Sequence, residues 1–150
     1  MSQSSAIAET TGRRLCHWVE GDSVATLPRI FEPDITLCVM RRAVPAAVAA
    51  DVERLSRIDR PLSFSWRGKL DNGLRCDLES ALPSDAAYDE LVEDIVTLSH
   101  AVAFLFDTQD VGVRLRWLTE AMCPRFHVDR LPVRLVTTYY GPGSEWLPDP

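Results

Sequence analysis

A chain of 150 residues with 46% apolar and 25% charged residues has the composition of an ordinary water-soluble protein, which argues against a disordered or a membrane-spanning class. Sixteen basic residues against 22 acidic ones leave a net charge of −6, so general nucleic-acid binding is not expected, because neutralising phosphates needs a basic face. A chain of this length fits one domain that buries about 68–70% of its unfolded surface.

Residues 1–12, MSQSSAIAETTG, are expected to be a disordered start, with a single domain over 13–150. There is no basic stretch followed by an apolar one at the N-terminus and no run of about eighteen apolar residues, so no membrane partner and a cytoplasmic location are expected. Cys16, Cys38, Cys76 and Cys123 form no Cys-x-x-Cys pair and lie mostly among apolar neighbours, which predicts reduced, largely buried thiols. Lys69 is the only lysine among the 16 basic residues. Codon composition is the plainer account of that bias, and bidentate carboxylate recognition by Arg the other.

The first predicted strand is Ile35–Met40, short, rich in β-branched residues and bounded by Pro33-Asp34 and Arg41-Arg42. A helix follows Pro45, with Val48, Val52 and Leu55 on its apolar stripe and Asp51, Glu53, Arg54 and Arg57 assigned to water; Asp59-Arg60-Pro61 closes it. Leu62, Phe64 and Trp66 alternate with Ser63, Ser65 and Arg67, a strand with one buried face that ends at an Asp71-Asn72-Gly73 turn. Residues 75–82 show no clear period.

The longest predicted element is a helix from Ser84, a candidate N-cap, to about Asp107. Asp85, Asp89 and Glu90 suit its positive end, and Tyr88, Leu91, Val92, Ile95, Leu98, Val102, Leu105 and Phe106 form its apolar stripe. After Thr108-Gln109-Asp110 the period becomes two: Val111, Val113, Leu115 and Trp117 face one side, and Gly112, Arg114, Arg116 and Leu118 the other. Val133, Leu135, Val136 and Tyr139 read as a further strand up to Gly141-Pro142-Gly143. That turn is expected to swing Glu145 and Trp146 back, with Trp146 closing the core edge or covering a site. The order of elements predicts an α+β fold, N-terminal helices packed on a largely antiparallel sheet.

The stretch from Cys123 to Pro148, CPRFHVDRLPVRLVTTYYGPGSEWLP, holds the candidate chemistry. On an extended strand residues two apart share a face and lie roughly 6.5–7 Å apart, so the His127 imidazole and the Asp129 carboxylate can converge on one ion. Such a pair supplies two of the three ligands of a 2-His-1-carboxylate facial triad. It is also a common hydrogen-bonded pair with no metal. Cys123 is a candidate third ligand, a set that favours Zn(II) over Fe(II), or else a small buried hydrophobe. Arg114, Arg116, Arg125, Arg130 and Arg134 cluster nearby in sequence; all but Arg134 read best as a solvated face. Arg134, with Thr138 and Tyr140 on its face, is a candidate anchor for a small-molecule or carboxylate ligand. His100, on the long helix, reads as a core or boundary residue, and His17 lies where no element is assigned. No G-x-S-x-G, H-E-x-x-H, Cys-x-x-Cys or phosphate-loop frame occurs.

The run CPRFHVD, then RLVTTY, then GPGSEWLP, resembles the DUF1826 family, a bacterial family of unknown function, over about residues 90–148. A second, weaker similarity is to the first half of the double-stranded β-helix of Fe(II)/2-oxoglutarate dioxygenases. It implies a partial jelly-roll-like fold and an oxidoreductase activity of non-haem Fe(II) type. It also implies His127 and Asp129 as metal ligands and 2-oxoglutarate as cosubstrate, bound in that family by a distal cation. The distal His and that cation would lie downstream, whereas His17 and His100 are upstream of His127, so the expectation is either a family member shortened at its C-terminus with an incomplete barrel or a third ligand from elsewhere. The competing expectation is a non-catalytic structural or interaction domain in which His127, Asp129 and Arg134 form a hydrogen-bond and ion-pair network.

Overall fold

A computed structural model describes residues 16–58, 61–120, 125–127 and 130–147. The expected disordered start at 1–12, together with Cys123 and Asp129, lies outside the described residues. The chain divides into two compact units, Met1–Arg42 with Leu147–Pro150, and Ala43–Trp146.

In the first unit, strands β1 (Trp18–Gly21) and β2 (Leu37–Met40) pair in parallel, Trp18 opposite Leu37 and Gly21 opposite Met40. A 3-10 helix, Val24–Phe31, makes the crossover. Ser23 starts it: its side chain accepts a hydrogen bond from the Ala25 amide at 3.2 Å, the usual work of an N-cap serine. Gly21 is required by a close approach, since a Cβ there would stand 2.5 Å from Oγ1 of the buried Thr26. Glu20 pairs with Arg41, and Arg29 grips Glu32 with two bonds of 2.7 and 3.0 Å. The predicted strand at Ile35–Met40 is thus real but shorter, while β1, short and without alternation, carries no sequence signal.

The second unit contains helix α1 (Ala46–Ser56), strand β3 (Ser63–Lys69), helices α2 (Asn72–Ala81) and α3 (Asp89–Leu105), and strand β4 (Asp110–Arg116). β3 and β4 pair antiparallel, Ser63 opposite Arg116 and Lys69 opposite Asp110, and the Trp117 amide donates to the Leu62 carbonyl at 3.0 Å to extend the ladder. Phe64 and Val111 are buried, Trp66, Val113 and Leu115 half-buried, and the alternate residues exposed, as the period of two predicts. The helices cover this apolar face. Leu74 and Leu78 of α2 and Leu91 and Val92 of α3 are its least accessible side chains, with Val48, Val52 and Leu55 of α1 around them.

Four expectations need correction here. Asp71-Asn72-Gly73 is the start of α2 rather than a turn between strands: the Asp71 carboxylate accepts from the Gly73 amide at 2.7 Å and caps the helix. α3 begins at Asp89 rather than near Ser84, with Tyr88 at its N-cap and no capping bond from Tyr88's own side chain. Asp51, assigned to water, is buried; its Oδ2 accepts from the Leu91 amide at 3.0 Å and so caps α3 from α1. The residues 130–147 form no regular strand: Val133, Leu135 and Val136 are exposed, because no ladder partner adjoins them among the described residues.

The described residues are α+β, but both sheets have only two strands and one is parallel. A double-sheet jelly roll would need about eight strands, and none forms among the described residues. The expected burial of the thiols also fails, since Cys16 and Cys76 are exposed and Cys38 half-buried; burial pushes the Cys38 thiol up. No described helix is long and apolar enough to cross a membrane.

Candidate functional site

The segment after β4 is held to the second unit by two adjacent tyrosines. Tyr139 packs against the core and its hydroxyl donates to Asp94 Oδ2 on α3 at 2.7 Å. Tyr140 turns the other way and meets the Trp117 ring at a centroid distance of 5.3 Å and an interplanar angle of 32°. Gly141 follows with a φ of +78°, a left-handed conformation that glycine adopts without strain. The chain therefore turns sharply directly after its double anchor.

His127 is exposed, and its Nδ1 lies 3.1 Å from the Arg125 carbonyl oxygen. A carbonyl only accepts, so Nδ1 carries a proton in this contact. Metal-binding histidines use the same arrangement: one ring nitrogen donates to a carbonyl, which fixes the tautomer and leaves the other to coordinate. The described residues place Arg125, Arg130, Arg134 and Tyr140 at exposed positions on this segment. Asp129 and Cys123 lie outside the described residues. Among the described residues no group of three or more His, Cys, Asp and Glu side chains is arranged to hold a metal ion.

The other histidines are placed elsewhere. His100 is exposed rather than at the core, because with Glu93, Thr97 and Phe104 it occupies the face of α3 opposite the buried Leu91, Val92, Ile95 and Ser99. His17 uses both ring nitrogens within the first unit, Nδ1 at 2.9 Å from the Thr36 hydroxyl and Nε2 at 3.3 Å from the Leu147 carbonyl. The Leu147 carbonyl only accepts, so Nε2 donates to it, while the Thr36 hydroxyl occupies Nδ1.

Residues 21–150 match a family described as a protein of unknown function, DUF1826. The chain belongs to this family. No curated protein and no solved structure matches it. The DUF1826 match includes the whole of the His127-Val128-Asp129 run, Arg134 and the Gly141-Pro142-Gly143 turn.

Asp94 and Asp51 were missed as partners by sequence reasoning. Asp51 had a readable signal, an acidic residue three positions after Val48 on the same stripe as Val52 and Leu55. Asp94 had none, since its partner lies 45 residues away.

Proposed function

We propose that this DUF1826 protein binds a divalent metal through His127 and Asp129, with Cys123 as a candidate third ligand and Arg134 with Tyr140 beside it for a carboxylate-bearing small molecule. The observation that supports the reading is the Nδ1 bond to the Arg125 carbonyl, the kind of second contact that metal-binding histidines make. Zn(II) suits a set with a thiolate, whereas Fe(II) suits the imidazole and carboxylate alone. The relation to Fe(II) oxygenases, a partial double-stranded β-helix and use of 2-oxoglutarate belong to the same proposal. They rest on the His-x-Asp spacing only. An Fe(II) bound this way would supply oxygen chemistry; the chain's own contribution is to hold the imidazole in one tautomer and to offer the Arg134 guanidinium to an anion.

The test is metal content after anaerobic loading with Fe(II) or Zn(II) and desalting. Wild type should retain metal, and the His127→Ala and Asp129→Ala variants should lose it while keeping the wild-type melting temperature. Retention by wild type no greater than by Asp129→Ala overturns the proposal.

A second reading is favoured by a different observation. Leu118, Phe126, Leu131, Val133, Leu135 and Val136 are all exposed on the segment after β4. In that reading the region is a non-catalytic interaction surface, and His127, Asp129 and Arg134 form a polar network within it. It predicts no metal dependence and a lower melting temperature for His127→Ala. An unchanged melting temperature in that variant, with a rise on adding metal to wild type, rejects it.

A further inference from the structure

The outward face of the β3–β4 ribbon carries Ser63, Ser65, Arg67 and Lys69 from one strand and Asp110, Gly112, Arg114 and Arg116 from the other, all exposed. Arg116 has a partner of its own, and Arg67, Lys69 and Arg114 against Asp110 still leave an excess of positive charge on this face, in a chain whose net charge is −6. The register arranges them. Arg114 stands opposite Ser65, Arg67 opposite Gly112, and Lys69 opposite Asp110, so Arg116, Arg114, Arg67 and Lys69 run diagonally across the ribbon. Neighbours along a strand on one face are roughly 6.5–7 Å apart. Gly112 keeps the middle of the stripe open, as no side chain rises opposite Arg67. Among the described residues no salt bridge engages Arg67, Lys69 or Arg114.

We propose that this stripe is a docking surface for an extended acidic segment of another protein. An extended chain shows every second side chain on one face, at the spacing of the cations, so Asp or Glu at alternate positions would meet the stripe in register. The guanidinium forks of Arg67 and Arg114 can each donate two hydrogen bonds to a carboxylate. β3 and β4 are paired only with each other among the described residues, so each has an outer edge to which a strand can add. The same cations repel a second copy of the ribbon, which sets an acidic partner apart from self-pairing.

A nucleic acid fits less well. The ribbon's aromatic side chains, Phe64 and Trp66, are turned to the core side, so no ring is offered for base stacking. A long polyanion would also face the acidic remainder of the chain.

The experiment is fluorescence anisotropy of a labelled peptide with Glu at alternate positions, titrated with the full chain. A peptide with Gln in place of Glu and a single-stranded oligonucleotide run as the other arms. The Glu peptide should bind, the Gln peptide should not, and affinity should fall as salt rises, because exposed ion pairs are screened within about 8 Å at physiological ionic strength. R67E/R114E should weaken binding by about tenfold or more. R67Q/R114Q, which adds no repulsion within the ribbon, should weaken it at an unchanged melting temperature. Equal binding of the Glu and Gln peptides, undiminished binding by R67Q/R114Q, or tighter binding of the oligonucleotide than of the Glu peptide overturns the proposal.

Discussion

Replacing Asp51 by Ala should destabilise the protein more than its place on a charged-looking helix suggests. The side chain is only 4% exposed, its Oδ2 accepts from the Leu91 amide at 3.0 Å, and its Oδ1 accepts from Arg54 at 2.5 Å. Leu91 is the third residue of α3, whose N-cap Tyr88 makes no side-chain capping bond, so Asp51 supplies from α1 the acceptor that α3 lacks. Loss of an N-cap costs about 0.5–2 kcal/mol, and leaving a buried N–H unsatisfied costs roughly 1–3 kcal/mol. The two overlap. The Arg54 side chain is 46% exposed, so its ion pair adds at most a few tenths of a kcal/mol in a solvent-screened position. A net loss of about 3 kcal/mol, at roughly 4 °C per kcal/mol, lowers the melting temperature by roughly 12 °C. Thermal and urea unfolding followed by far-ultraviolet circular dichroism would measure it, with faster hydrogen exchange at the Leu91 amide as the local readout. Asp51→Asn keeps an acceptor for Leu91 and should lose about half as much. An Asp51→Ala variant within about 0.5 kcal/mol of wild type would refute the capping argument.

Burial, with Asp85 nearby, holds the Tyr88 phenol above its ordinary value. A folded value above the unfolded one means that its contribution is intact below about pH 10 and is lost as pH rises through the folded value; urea midpoints should therefore fall less steeply at alkaline pH in Tyr88→Phe than in wild type, and equal slopes would contradict the assignment. Tyr139→Phe removes the 2.7 Å bond to Asp94 and should cost about 0.5–1.5 kcal/mol in urea unfolding, whereas Tyr140→Phe, which keeps its ring on Trp117, should cost nothing measurable. Gly21→Ala drives a Cβ to within 2.5 Å of Thr26 Oγ1 and should cost about 1–3 kcal/mol, read as a lower unfolding midpoint. Thr26→Ala in the same chain should recover part of that loss, and a double variant no better than Gly21→Ala would show the clash is not the cause.

Much of the second unit was legible in the residues themselves. The apolar stripe of α3 and the strict alternation of β3 and β4 each follow from periodicity over a single segment, and periodicity reports which face is buried without naming what buries it. The His-x-Asp pair, its Arg and Tyr neighbours and the family membership were likewise readable from residue types and spacing. Where local signals competed, reading by period went astray: Asp71-Asn72-Gly73 has the letters of a turn and also those of a helix start, and the Asp71 bond to the Gly73 amide selects the second.

What the sequence by itself determined is the set of elements with a strong period, their buried faces, the acidic net charge, and the presence of a His-x-Asp run. Tertiary structure alone decided the parallel pairing of β1 with β2, the use of Asp51 as a cap for a helix 40 residues away, and the inward Tyr139 beside the outward Tyr140. It also decided that the arginines of β4 join Arg67 and Lys69 in one basic stripe. The reason is the same in each case. Periodicity is a property of one segment, whereas a partner strand, a distant acceptor or a shared face exists only when two segments far apart in sequence meet, and no residue type encodes which segment that will be.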